Sequence, residues 1–276
     1  MSIYLGTLGR MIQIKCPATQ QVSTADTYVF EETLEGRVKA QAKPIQRRVW
    51  SLATSDATTP AQQAALLGFT SGEWGSGPFV FVSADAPVTN LLTPAAASCV
   101  EMRTNNPLVY QSGPVDLGRD GWAGKSIGAH LPEGGGQRPE IYFGTGDTPV
   151  LPGVMVTGSA YLEGLDAALR LYWYREGDSS PIATSDSSPV PGEGFRRITV
   201  TAVPPAEAIF CRLVAVRTVR GTRPAITWTD QAFDWAAGEG CVKAVVHAVS
   251  KTLVLASRDP RGGRYANLSY TVTEVG

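Results

Sequence analysis

The sequence predicts a mainly β protein with many short strands and one helix, and three observations carry this. The 29 glycines and 19 prolines of the 276 residues are spread along the whole chain. Between them recur β-branched and aromatic runs of strand length, the pattern of many short strands joined by turns. Only one stretch joins a helix-start signal to a helix-forming interior: Thr58-Thr59-Pro60 followed by residues 61–67 (AQQAALL).

In chain order, residues 26–34 read as a strand, Glu35-Gly36 as a turn and residues 37–43 as a second strand broken by Lys43-Pro44. Residues 46–53 form a third strand, with Val49 on the face opposite Trp50. The helix follows, with Gly68 or Gly72 as its stop. Residues 78–82 (PFVFV) are again strand, and residues 85–94 an extended connection. From about residue 101 the texture changes to loops at 104–107, 118–128 and 134–136. Strands are expected at 153–162, 168–174, 195–203, 208–216 and 225–229, with a polar turn-rich loop at 177–192. Residues 242–249 read as strand or, on periodicity alone, helix; 251–257 and 264–275 read as strands.

Composition excludes several function classes. A net charge of -1 and a pI near 6.2 give no attraction to nucleic acid or to an anionic membrane. The longest apolar runs, such as 244–249, fall far short of the roughly 20 residues of a spanning helix. The opening MSIYLGTLGRMIQIKC lacks a basic segment followed by an apolar one, so it does not read as a secretory signal, and assembly in a cytoplasm is expected. Cys16, Cys99, Cys211 and Cys241 show no C-x-x-C spacing and the two histidines stand far apart, so no zinc site is expected and four buried thiols are the plain reading.

Several segments resemble minor tail proteins of phages that infect actinobacteria: Tyr4–Met11, Leu34–Arg37, Arg48–Leu52, Ser71–Phe79, the more specific Ser83–Pro94 (SADAPVTNLLTP), and Ser269–Gly276. The arrangement is similar to the distal tail protein of long-tailed phages. That resemblance implies a tail-tube-like β-sandwich with one flanking helix as the ring domain, residues 1–100 closed by 241–276, and an inserted carbohydrate-binding-like jelly-roll β-sandwich at 101–240. It also implies a hexameric ring at the virion tail tip that joins the tail tube to the hub, other minor tail proteins and the host-binding apparatus. Trp74, flanked by glycines, and Arg37 are then candidate subunit contacts. The competing readings are a tail-surface adhesin for the host cell-wall glycan and a wall-degrading enzyme.

The residues offer little chemistry. Gly124-Lys125-Ser126 resembles the end of a phosphate loop, but Arg119 stands where its first glycine belongs, and residues 127–132 cannot hold a long helix. Asp166, Glu176, Asp230 and Asp234 could supply paired carboxylates for glycoside hydrolysis, yet no spacing singles out a pair, and no catalytic residue is assigned. Asp230 and Asp234 are also candidates for a structural calcium site of the kind found in galactose-binding jelly rolls. Alternation over 168–174 sends Leu169, Leu171 and Trp173 to one face and Arg170, Tyr172 and Tyr174 to the other. Tyr172 and Tyr174 are then either ordinary surface tyrosines or, with Trp122, a sugar-stacking platform. Cys99 and Cys241 flank the expected insertion and should approach one another, within reach of a disulfide if the virion is oxidised outside the cell.

Overall fold

The computed structural model describes residues 2–15, 17–24, 28–32, 35–42, 47–54, 58–103, 106–117, 123–256 and 264–275. The chain divides into two units: Met1–Gly6, Ile12–Ala84 and Lys243–Gly276 form the first, Thr7–Met11 and Asp85–Val242 the second. The first contains β1 (Ser2–Thr7), β2 (Arg10–Lys15), β3 (Pro17–Thr24), β4 (Tyr28–Glu32), β5 (Val38–Ala42), β6 (Arg48–Thr54), α1 (Pro60–Ser71) and β7 (Phe79–Val82). In the second lie α2 (Pro94–Ala97), β8 (Met102–Arg103), β9 (Val109–Asp116), β10 (Ala123–Ala129), β11 (Ile141–Phe143), β12 (Thr148–Pro149) and β13 (Val156–Glu163). It continues with β14 (Asp166–Tyr174), β15 (Ala183–Asp186), β16 (Val190–Pro191), β17 (Phe195–Ala202), β18 (Phe210–Val216) and β19 (Arg220–Thr227). Strands β20 (Cys241–Ala256) and β21 (Arg264–Glu274) complete the first unit.

In the first unit seven strands make one sheet in the order β2-β1-β7-β20-β21-β6-β3, and β4 pairs with β5 in a separate hairpin. Trp50, Phe81, Leu5 and Val272 are buried in this unit, with the Trp50 and Phe81 rings 5.0 Å apart. Helix α1 starts where a capping box should: the Thr59 hydroxyl accepts from the Gln62 amide and the Gln62 side chain accepts from the Thr59 amide. It runs through Gly68 and stops at Gly72, whose φ of 85° only glycine adopts without strain. Thr58 ties the helix to β21 by donating its amide and hydroxyl to the Ala266 carbonyl at 2.8 and 2.7 Å. Arg48 clasps Glu274 through two hydrogen bonds of 2.8 and 2.9 Å and lies over the Trp50 ring.

The second unit is a sandwich of two antiparallel sheets. One has the order β17-β13-β19-β10-β9; the other has β15-β14-β18-β11-β8, with β12 and β16 pairing at its margins. Their facing sides bury Leu162, Ile198, Leu169, Leu171, Trp173 and Leu213. The fold is therefore mainly β, as the patterning predicts.

Four expectations are corrected. Residues 85–100, assigned to the first domain, belong to the second unit, because Leu91 donates to the Ile226 carbonyl at 2.7 Å and Trp228 to that of Pro87 at 2.8 Å. Part of the region read as loop at 118–128 is the internal strand β10, and the Lys125-Ser126 pair lies on it with no helix after it. Gly128 belongs there because the Tyr110 ring covers it; a Cβ would lie 2.5 Å from that ring. The two strands read at 242–249 and 251–257 run together as one long strand, β20, up to Ala256, and the helical alternative for the first does not hold. The expected connection at 85–94 bends into α2, which Thr93 caps by accepting from the Ala96 amide.

Candidate functional site

The strands β14, β18, β11 and β8 set one row of side chains on the face of their sheet turned away from the sandwich core. Register places Arg170 opposite Val214, Val214 opposite Tyr142, and Tyr142 opposite Arg103. The next rows are Tyr172 opposite Arg212, and Tyr174 opposite Phe210. Val214 is fully buried, covered by the half-buried rings of Tyr142 and Tyr172, which stack 6.1 Å apart at 14°. Tyr174 stacks on Phe210 at 4.9 Å, and the Arg212 guanidinium lies 4.3 Å over the Tyr174 ring.

Charge on this face is closely paired. Arg170 donates Nε and Nη2 to the two oxygens of Asp186 at 2.6 and 2.9 Å, and Nη1 to Glu140 at 3.2 Å. Glu140 also accepts from the Tyr172 hydroxyl at 2.7 Å and the Tyr142 hydroxyl at 3.2 Å. The Arg170 hydrogen bond holds the Asp186 carboxyl below its usual range, partly opposed by burial. Burial, then the Glu140 charge, pushes the Tyr142 hydroxyl up, and burial is also the largest influence raising Tyr172. Arg212 pairs with Asp147 at 2.7 Å. Burial is the largest influence on Arg212 and acts against its charge, but Asp147 and Tyr174 together outweigh it, so it stays firmly protonated.

Beside this array lies an open cleft of about 880 Å³ bordered by Arg103, Glu140, Tyr142, Tyr174, Arg212 and Pro181. Aromatic rings, a planar guanidinium and a carboxylate converge on it, a set suited to holding a polyhydroxylated ring by stacking and directed hydrogen bonds.

Of the residues named from sequence, Tyr172 joins the array and Tyr174 borders the cleft. Tyr174 is only 2% exposed, however, so it is a wall of the cleft and not a surface tyrosine, because Phe210 and Arg212 cover its ring. Trp122 lies outside the described residues. Asp230 and Asp234 are exposed loop residues, and among the described residues no three His, Cys, Asp or Glu side chains come together as metal ligands. Asp166 and Glu176 are exposed and do not border the cleft. Trp74 is half-buried and stacks on Phe69 at 4.8 Å. Arg37 is exposed beside Glu35. Cys99, Cys211 and Cys241 are buried thiols, so Cys99 and Cys241 are not joined. Burial pushes the Cys99 thiol up to about 12, which keeps it protonated and unreactive at neutral pH. Just before Cys241, Glu239 donates to the Asn90 carbonyl and Gly240 to that of Leu92, both at 2.9 Å. Cys16 lies outside the described residues.

Sequence reasoning missed Tyr142, Arg212, Glu140 and Arg103. They come from separate strands and share no spacing; only cross-strand register brings them together.

No family model matches the chain, and no curated protein matches it. Among solved structures, the enzymatically active domain of tailspike protein 4 of bacteriophage CBA120 aligns at a TM-score of 0.41 and 10% identity, over 51% of this chain. The chain spans only 22% of that structure. A structure described under the promiscuous specificity of carbohydrate-binding modules of the β-sandwich superfamily aligns at a TM-score of 0.33 and 12% identity, over 81% of this chain and 91% of that one. Both likenesses are too weak to carry a functional argument, which rests on the cleft.

Proposed function

We propose that the chain is a phage tail protein whose second unit holds a cell-wall saccharide in the cleft beside Tyr142 and Arg212. The observation that carries this is the convergence of Tyr142, Tyr174, Arg212 and Glu140 on one open cleft of the sandwich. Aromatic faces pack on the C–H faces of pyranoses, while charged planar groups bond their hydroxyls. Binding is favoured over hydrolysis because Glu140 is already engaged by two tyrosine hydroxyls and Arg170. Among the described residues, no second carboxylate borders the cleft. The test is retention of the full chain on purified actinobacterial cell-wall polysaccharide. Tyr142→Ala should weaken binding by about threefold to tenfold, the value of one aromatic contact, with melting little changed. No retention, or equal retention of the variant, would refute the reading.

A distal-tail role for the first unit has its own support. Two of the segments that resemble actinobacteriophage tail proteins fall on one sheet, Arg48–Leu52 in β6 and Ser269–Glu274 in β21, and Phe79, the end of a third, begins β7 of the same sheet, whereas Ser83–Pro94 falls mostly in the second unit. In this reading the first unit forms a ring at the tail tip between tube and hub, and the second unit carries the saccharide site. Ring assembly is tested by sedimentation and electron microscopy of the purified chain. Closed rings are the expected result, and a strict monomer would leave an adhesin alone.

A further inference from the structure

Resting on the saccharide reading above, we propose that the cleft selects an acidic saccharide and that Arg103 receives its carboxylate or phosphate. The charged groups around the cleft divide into two kinds. Arg212 is bound to Asp147, and Glu140 to Tyr142, Tyr172 and Arg170, so each already has an opposite charge or a donor set. Arg103 differs. It is exposed and borders the cleft, and no carboxylate of the described residues lies within ion-pair distance of it. Its register opposite Tyr142 puts it on the same face as the ring expected to stack on the sugar. A pyranose packed on Tyr142 would thus lie beside a guanidinium that pairs with no carboxylate of the described residues.

Two considerations decide for an anionic ligand over a neutral one. Among the described residues bordering the cleft, Arg212 is offset by Asp147 and Glu140 by Arg170, which leaves the Arg103 charge to a ligand. Guanidinium binds planar carboxylates and phosphates in bidentate fashion, a geometry that a lone hydroxyl cannot match. Because Arg103 is exposed, its contribution is open to screening and should fade with salt, whereas stacking on Tyr142 should not.

The experiment compares the full chain on matched pairs of immobilised saccharides: polygalacturonate and its methyl ester, sialyllactose and lactose, phosphomannan and mannan. The expected result is that the acidic member of at least one pair binds about tenfold tighter at low salt. Arg103→Gln should weaken the acidic member far more than its neutral counterpart, closing the gap between them, and about 0.5 M salt should close the same gap in the unmodified chain. Tyr142→Ala should weaken both members together. Equal binding of acidic and neutral members, or an acidic preference that survives Arg103→Gln, overturns the role of Arg103 and leaves the saccharide site standing. If no member of any pair binds, the saccharide reading falls and this inference with it.

Discussion

Asn90→Ala probes what holds the second unit together where its two ends meet. Asn90 is fully buried, and its amide nitrogen donates to the carbonyls of Pro224 and Ala236, both at 3.1 Å. Its oxygen accepts from the amides of Leu92 at 3.1 Å and Ile226 at 3.2 Å. One side chain thus ties three separate stretches of chain. Alanine removes all four bonds. The Pro224 carbonyl keeps the Trp235 indole as a donor at 3.3 Å, so three backbone groups lose the partner that Asn90 supplied. At about 1 kcal/mol or slightly more for each group, the cost is about 3–4 kcal/mol. For a unit of this size that is a fall in melting temperature of roughly 10 °C. Asn90→Asp should be at least as harmful at neutral pH, since a carboxylate would face two carbonyl oxygens. Calorimetric melting of the full chain and both variants is the assay. A fall below about 3 °C for Asn90→Ala, equivalent to roughly 1 kcal/mol, would refute this account of the junction.

Two further outcomes follow from single side chains. The Tyr270 hydroxyl is buried with no hydrogen-bond partner among the described residues. Tyr270→Phe should therefore raise stability by about 1 kcal/mol. Burial pushes that hydroxyl up from its usual value, so the stability does not depend on its titration below about pH 10 and falls as pH rises further. The Phe variant should lack this alkaline loss, and a melt below that of the parent chain would reveal a partner for the hydroxyl. Asp186 behaves oppositely: pairing with Arg170 depresses its folded value, so its stabilisation is present above about pH 4 and lost as pH falls through the folded value. Asp186→Asn should flatten the acid limb of the stability curve; an unchanged limb would mean that solvent screens the pair.

Local signals in the sequence were legible wherever the structure obeys them locally. The Thr59-Pro60 start of α1 was readable because capping depends on neighbours three residues apart. So was the inward face of β14, because period-two alternation sorts Leu169, Leu171 and Trp173 from Arg170 and Tyr172. Strand β10 was hidden because its glycines and serine look like loop; they are there to accept Tyr110 and neighbouring strands. Strands β1 to β3 do not stand apart in sequence, and pairing within the sheet fixes them. The cleft was half legible: Tyr172 and Tyr174 stood out as a pair, but Arg103, Glu140, Tyr142 and Arg212 acquire meaning only through register. The same register explains why Tyr174 is buried, since Phe210 lies directly opposite it.

Hydrogen exchange of the full chain, with and without a retained cell-wall polysaccharide, tests the saccharide site most directly. Protection is expected in peptides covering residues 139–143, 172–181 and 210–213, which frame the cleft, and it should vanish in Tyr142→Ala. Protection confined to the other sheet of the second unit or to the first unit, with these peptides unchanged, would contradict the account.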